Sequence, residues 1–282
     1  MSEKEVISLG FSPCPNDTFI FGALATRQIK ANFSYKLVVE DVEKLNQQAL
    51  SAELLVSKLS FGVFPAVIQK YQLLPVGGAL GFGCGPVVVA KEKKLDFRLA
   101  KVAVPGFNTT AYFLFKFFAP QAQEIIPMRY DQIMPAVLNG EVDVGVLIHE
   151  TRFVFDKYGL VKIADLGAWW EEETGLPIPL GGIFIKKDLD SQIKELVLED
   201  INKSLWFAQK NKEKVWPYIC RLAQEMDEKI INQHINTFVN EFTFWLSEEG
   251  RQAVSFFLEK CRQNGLLEHI PVDFLFLPEE AR

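Results

Sequence analysis

Cysteine is scarce and scattered in this chain. Cys14, Cys84, Cys220 and Cys261 are the four in 282 residues. They form no CxxC pair, so neither a zinc site nor a disulfide framework is expected, and reduced thiols are. Cys14 and Cys84 fall in turns near proposed strand ends, where each is either a reactive thiol or a small buried filler. A basic surplus is also lacking: the net charge is −6 and the pI near 5.3. With no basic patch interleaved with aromatics, nucleic acid and anionic membrane are excluded as main partners. No apolar run reaches membrane-spanning length, since residues 86–90 stop at Lys91-Glu92-Lys93-Lys94. The opening Met1-Ser2-Glu3-Lys4-Glu5 carries neither a basic nor an apolar signal region, so a cytoplasmic location is expected. Residues 77–86 are dense in glycine but lack a Gly-Lys-Ser/Thr ending, and no helix opens after them. They read as close backbone approach near a crossing between domains.

What is present is apolar mass and a repeated turn. Hydrophobic residues make up 49% of the chain, enough for two domains of ordinary size. The stretch Phe11-Ser12-Pro13-Cys14-Pro15-Asn16-Asp17-Thr18 follows a short strand at 6–10 and precedes a helix predicted over 18–29. Pro13 and Pro15 stiffen the turn, and Asn16, Asp17 and Thr18 are capping residues. The layout predicts a helix end whose N–H groups face out of a sheet, a ready anion site. Residues 101–118 repeat the arrangement: strand, Pro105-Gly106, then Asn108-Thr109-Thr110 opening an aromatic-rich helix. Two lobes facing each other through such ends make a cleft with donors on both walls.

Strand and helix alternate through residues 33–90, which implies a parallel sheet with covered faces. Expected strands lie at 33–40, 54–56, 73–76 and 86–90, with helices at 41–52 and 61–71. A second lobe is expected from residue 91, with strands at 101–104, 124–128, 142–148 and 160–166. A strand at 181–186 returns toward the first lobe, and 190–264 is helical throughout. The division that follows is 1–90 plus 187–282 for the first lobe and 91–186 for the second, with the cleft between them. Ligands in open α/β sheets sit beyond the carboxyl ends of strands. Four segments meet that condition: residues 12–18, 57–60, 108–110 and 149–150. His149 is the one histidine of three at a predicted strand end, and imidazole suits proton transfer near neutral pH. Asp17 and Glu150 are carboxylate alternatives; Glu150 either orients the ring or faces solvent. Lys58 is either a ligand partner or a solvated loop lysine. His234 and His269 read as structural.

The same residues resemble a known family. Phe11-Ser12-Pro13-Cys14-Pro15-Asn16-Asp17-Thr18-Phe19, Ser57-Lys58-Leu59-Ser60, Thr109-Thr110-Ala111-Tyr112-Phe113, Ile148-His149-Glu150 and Asp165-Leu166-Gly167-Ala168-Trp169-Trp170-Glu171 are similar to motifs of the 1,4-dihydroxy-6-naphthoate synthase family of menaquinone biosynthesis. The resemblance implies an α/β, two-lobed fold similar to type II periplasmic binding proteins, with a helical C-terminal segment. It implies a carbon–carbon lyase that cleaves cyclic dehypoxanthinylfutalosine to the dihydroxynaphthoate and dihydroxyacetone, with no metal or organic cofactor. It makes His149 the base and places Asn16, Ser57, Lys58, Leu59, Thr109 and Thr110 on the substrate. The chemistry agrees: removing a sugar-derived fragment next to a ketone needs proton abstraction and donors to an enolate-like oxygen. Two alternatives share the frame: a non-enzymatic solute-binding protein for a small aromatic carboxylate, and the related chorismate dehydratase of the same pathway. The placement of His149 favours an enzyme, and the Ser-Pro-Cys-Pro-Asn-Asp-Thr signature points away from the dehydratase.

Overall fold

The computed structural model describes residues 5–224 and 227–278; the residues 1–4 used in the signal-peptide argument lie outside them. The described strands, in chain order, are β1 Val6–Phe11, β2 Ser34–Val39, β3 Val56–Ser60, β4 Tyr71–Leu73, β5 Ala79–Gly81, β6 Val87–Ala90, β7 Lys101–Val104, β8 Glu124–Pro127, β9 Val144–Leu147, β10 Val161–Asp165 and β11 Ile178–Lys186. They form two sheets. One has the order β2-β1-β3-β11-β4, with β5 also on β11; the other has the order β10-β6-β9-β7-β8. The architecture is two mixed α/β layers with helices at the C-terminal end.

The parallel pairing expected from the alternation in the first part of the chain holds for β1 with β2 and β3; in the second sheet β7 is parallel to β8 and β9. The returning strand β11 breaks it, running antiparallel to β3, β4 and β5. In the second sheet β6 is likewise antiparallel to β9 and β10. The chain changes sheets between β5 and β6 and again before β11. Residues 87–90 therefore sit in the second sheet and 178–186 in the first. The sheet changes therefore fall before β6 and before β11, ahead of the expected division at 90/91 and 186/187.

The helix Pro15–Ala25 starts three residues earlier than its pattern suggests, because Pro15 presets φ for the first helical position. It is not amphipathic. Residues 15–24 are all buried, as expected for a helix covered on every side. The C-terminal helices Ser191–Lys210, Lys212–Leu222 and Glu228–Phe238 supply that cover. Ile7, Leu9, Phe11, Phe19 and Phe21 join Val197, Ile201, Leu205, Val215 and Ile235 in one core. The rings of Phe11 and Phe21 meet at 4.8 Å, each fully buried side chain contributing roughly 1.5–3 kcal/mol. Asn16, Asp17 and Thr18 are thereby buried too, and each needs a partner. The helix predicted over 61–71 shrinks to Phe64–Val67.

Candidate active site

The strand ends and helix starts converge on one cleft of about 690 Å³, its open mouth included. The first lobe contributes Ser12, Asn16 and Asp17 beyond β1, and Lys58, Leu59 and Ser60 from β3. The second contributes Thr109 and Thr110 at the start of helix Thr110–Phe118, and His149 and Arg152 beyond β9. A third contribution, His234, comes from helix Glu228–Phe238. Of the expected site residues, Asn16, Lys58, Leu59, Thr109, Thr110 and His149 line the cleft. Ser57 does not; it is buried behind it in β3.

At the first helix end Asp17 turns back over the preceding turn: one carboxylate oxygen accepts from Ser12 N at 3.2 Å and from Ser12 Oγ at 2.7 Å. Its other oxygen accepts from Asn16 Nδ2 at 3.0 Å and lies 3.6 Å from Lys58 Nζ. Thr18 turns back to donate to Cys14 O, and the cap position, Cys14, makes no side-chain cap bond. Lys58 is a strand residue, not a loop lysine. Its side chain is 6% exposed, and it also donates to Gly77 O. Burial pushes its pKa down, against the pull of Asp17.

The second helix end is closer to expectation. Thr109 caps it, accepting from Tyr112 N at 3.3 Å and donating to Gly106 O at 2.8 Å. Thr110 ties the sheets together instead, donating to Leu180 O at 2.7 Å and accepting from Gly62 N at 3.1 Å. Asn108 adds to this tie, donating from its backbone N and from Nδ2 to the Glu43 carboxylate. With both threonine hydroxyls engaged, the groups left for a ligand are the backbone N–H groups of the first turn.

The tie between the sheets depends on Gly62. A Cβ there would lie 2.5 Å from the carbonyl carbon of Thr109 and 2.7 Å from Thr110 N. Such overpacking typically costs about 1–3 kcal/mol. Gly62→Ala is therefore expected to weaken ligand binding about 5- to 150-fold by disfavouring closure. Titration together with small-angle scattering checks this; unchanged affinity and radius would show that the 109–110 peptide simply moves aside.

His149 opens the 3-10 segment His149–Phe153 with φ +56, a left-handed conformation that non-glycine residues rarely adopt. Such strain costs on the order of 1–3 kcal/mol and concentrates at functional sites. The half-buried ring lies against Tyr130 at 4.6 Å and stacks on His234 at 6.3 Å. Cys14 Sγ sits 3.0 Å from Nδ1 and 3.6 Å from Nε2. Burial pushes the imidazole down to about 4, well under the ordinary value expected from sequence, so the ring is a free base throughout the neutral range. Burial also pushes the Cys14 thiol well up, with Glu150 and Asp17 adding to it. Cys14 and His149 are therefore a neutral hydrogen-bonded pair.

Among the described residues, the group with the makings of a metal site is Cys14, His149 and Glu150, whose ligand atoms lie within 4.8 Å of one another. A cation there would have to displace the thiol proton that burial favours.

His234 has a defined tautomer. Asn16 Nδ2 faces Asp17, so Asn16 Oδ1 must accept from His234 Nε2–H, at 3.0 Å. That leaves Nδ1 as a bare acceptor with no partner among the described residues. Burial first, then His149 and Arg152, keep the ring neutral. Its helical, apolar setting hides this role in the sequence. The signal that could have found it is a histidine on a helix whose buried face must reach Asn16. Arg152 was missed because one arginine three residues past a histidine carries no pattern.

The cleft and its left-handed His149 sit between the two sheets of a periplasmic-binding-protein-like frame. The frame itself is shared widely. The alkanesulfonate-binding protein from Xanthomonas axonopodis pv. citri superposes with a TM-score of 0.70 at 10% identity, over 97% of this chain and 98% of that one. A protein from Archaeoglobus fulgidus gives 0.89 at 33% identity, over 93% and 98%. A family model described as menaquinone biosynthesis matches residues 7–263. The 1,4-dihydroxy-6-naphthoate synthase of Thermus thermophilus is 43% identical over 95% of this chain and 98% of its own. That of Streptomyces coelicolor is 40% identical over 97% and 99%. The chain belongs to the 1,4-dihydroxy-6-naphthoate synthase family of menaquinone biosynthesis, and it is a lyase. Among the described residues no helix is long and apolar enough to cross a membrane.

Proposed function

We propose that the chain cleaves cyclic dehypoxanthinylfutalosine to 1,4-dihydroxy-6-naphthoate and dihydroxyacetone, with His149 taking the proton, between two lobes that close on the substrate. The observation that carries this is the position of His149, a free-base imidazole lining a cleft between two sheets. Of the rival bases, Asp17 is engaged with Ser12, Asn16 and Lys58, and His234 is fixed through Nε2 to Asn16 on a different helix, with its Nδ1 bare. In the base-competent tautomer, Nδ1–H points at the Cys14 sulfur and the lone pair is on Nε2. Lys58 and the first-turn N–H groups after Thr109 are the donors for an enolate-like oxygen. Formation of the aromatic ring then helps drive the cleavage.

Assay with cyclic dehypoxanthinylfutalosine and with chorismate, alongside equilibrium binding of each, separates the readings. Formation of the naphthoate from the first substrate is expected. Turnover of chorismate would make the chain a dehydratase, and binding without turnover of either would make it a carrier.

The pH dependence follows from burial. The free-enzyme base titrates near pH 4 in the folded protein, against roughly 6.5 for an exposed histidine. Protonation removes the base, so kcat/KM should fall only as pH drops toward about 4 and stay flat through 6.5. A midpoint near 6.5 would assign the base to a solvent-exposed group.

A further inference from the structure

The proton-transfer scheme leaves one cation in the cleft wall without a task. Arg152 lines the same cleft as His149, three residues along the same 3-10 segment, with its side chain 7% exposed. A guanidinium presents five N–H donors in a planar fork suited to a carboxylate. Here the fork is underused. One terminal nitrogen donates to Gly83 O at 3.1 Å and lies 3.8 Å from Asp165 Oδ2. The buried Nε meets no acceptor among the described residues.

The nearby carboxylates are committed elsewhere. Asp165 Oδ1 caps helix Leu166–Thr174, accepting from Gly167 N and Ala168 N, and its Oδ2 is shared with Lys162 at 3.9 Å. Glu171 accepts from Gly83 N at 2.6 Å. Burial holds Arg152 below its ordinary value, with Asp165, Cys84 and Glu171 pulling the other way. Lys58, the other cation of the cleft, is held by Asp17 and Gly77. A desolvated guanidinium with donors to spare, opening on a ligand cleft, is an acid-recognition group.

We propose that Arg152 binds the carboxylate of the aromatic substrate and product as a forked pair, so that it selects acids and fixes which end of the fused ring points to His149. This rests on the cleft being the naphthoate-forming site. It gives the cleft two unlike cations: Lys58 for developing oxyanion charge and Arg152 for the permanent charge of the ligand.

The test compares binding of 1,4-dihydroxy-6-naphthoate with that of 1,4-dihydroxynaphthalene, which lacks the carboxylate, under argon. The wild-type chain, Arg152→Met and Arg152→Lys are used, each checked by thermal melting. The wild type should prefer the acid by about 10- to 100-fold, the worth of a charged hydrogen-bonded pair. Arg152→Met should lose that preference by binding the acid more weakly, with the neutral compound unaffected. Arg152→Lys keeps the charge without the fork and should retain only part of it, with KM raised far more than kcat falls. If Arg152→Met is unstable, Arg152→Lys alone decides, and an undiminished preference in either variant overturns the proposal. Equal binding of both compounds by the wild type also overturns it while leaving the cleft assignment standing. Failure of the wild type to bind either compound overturns the cleft assignment itself.

Discussion

His149→Asn should bind substrate nearly as the wild type does and lose at least about 100-fold in kcat, since a positioned base is typically worth about 10²–10⁴. Asparagine is the informative replacement for two reasons. It is polar and of similar breadth, so it can still meet Cys14 Sγ, 3.0 Å from the present Nδ1. It also tolerates the left-handed backbone that φ +56 imposes on this position better than most residues. A loss of activity with an unchanged melting temperature and unchanged product affinity therefore reports lost proton transfer, not a collapsed loop. Asp17 is the control. Its carboxylate is spent on Ser12, Asn16 and Lys58, so it is not poised to substitute, and His234, whose Nδ1 is bare, is the group to replace in a second variant. Turnover of His149→Asn close to the wild-type rate would move the base to His234, Glu150 or Asp17.

The sequence made the frame legible because both sheets are built from short β-branched runs set off by turns. The strand before His149 and the cap at Thr109 could be read for the same reason. The signature around Ser12 to Thr18 lines the cleft, but its polar side chains do not cap the helix as their types suggest. Three capping residues in a row look like an open helix end. Pro15 instead starts the helix just ahead of that run, which puts all three inside the first turn, and burial on all sides turns Asp17 back on Ser12 and Lys58. Lys58 itself reads as a loop residue, because a lysine inside a buried strand is explained only by a carboxylate 41 positions earlier. The separations defeat local reading most clearly at His234. Its partner Asn16 is 218 residues away, and its helix shows the apolar spacing of ordinary core. Fold followed from period and punctuation, whereas the polar network followed from long-range packing that no short window contains.

That network carries the other large expected effect. Lys58 and Asp17 are both nearly inaccessible, with side chains 6% and 5% exposed. Pairs of this kind owe little net stability to their attraction, since desolvation offsets it, but breaking one leaves a buried charge uncompensated at about 3–5 kcal/mol. Lys58→Met removes the ammonium while filling the same channel toward Gly77, and it should lower the melting temperature by on the order of 10 °C. Asp17→Asn should also destabilise, because the amide cannot accept from Ser12 and Asn16 as the carboxylate does. In the double variant neither charge remains, and a good part of the Lys58→Met loss should return, giving a favourable coupling in the cycle. Activity should not return with it, because the donor for the developing oxyanion is gone. The split between recovered stability and unrecovered turnover is what assigns Lys58 both roles. A Lys58→Met variant within about 1 kcal/mol of wild type would show that water or a backbone shift screens Asp17. Full activity in the double variant would leave the pair with a purely structural part to play.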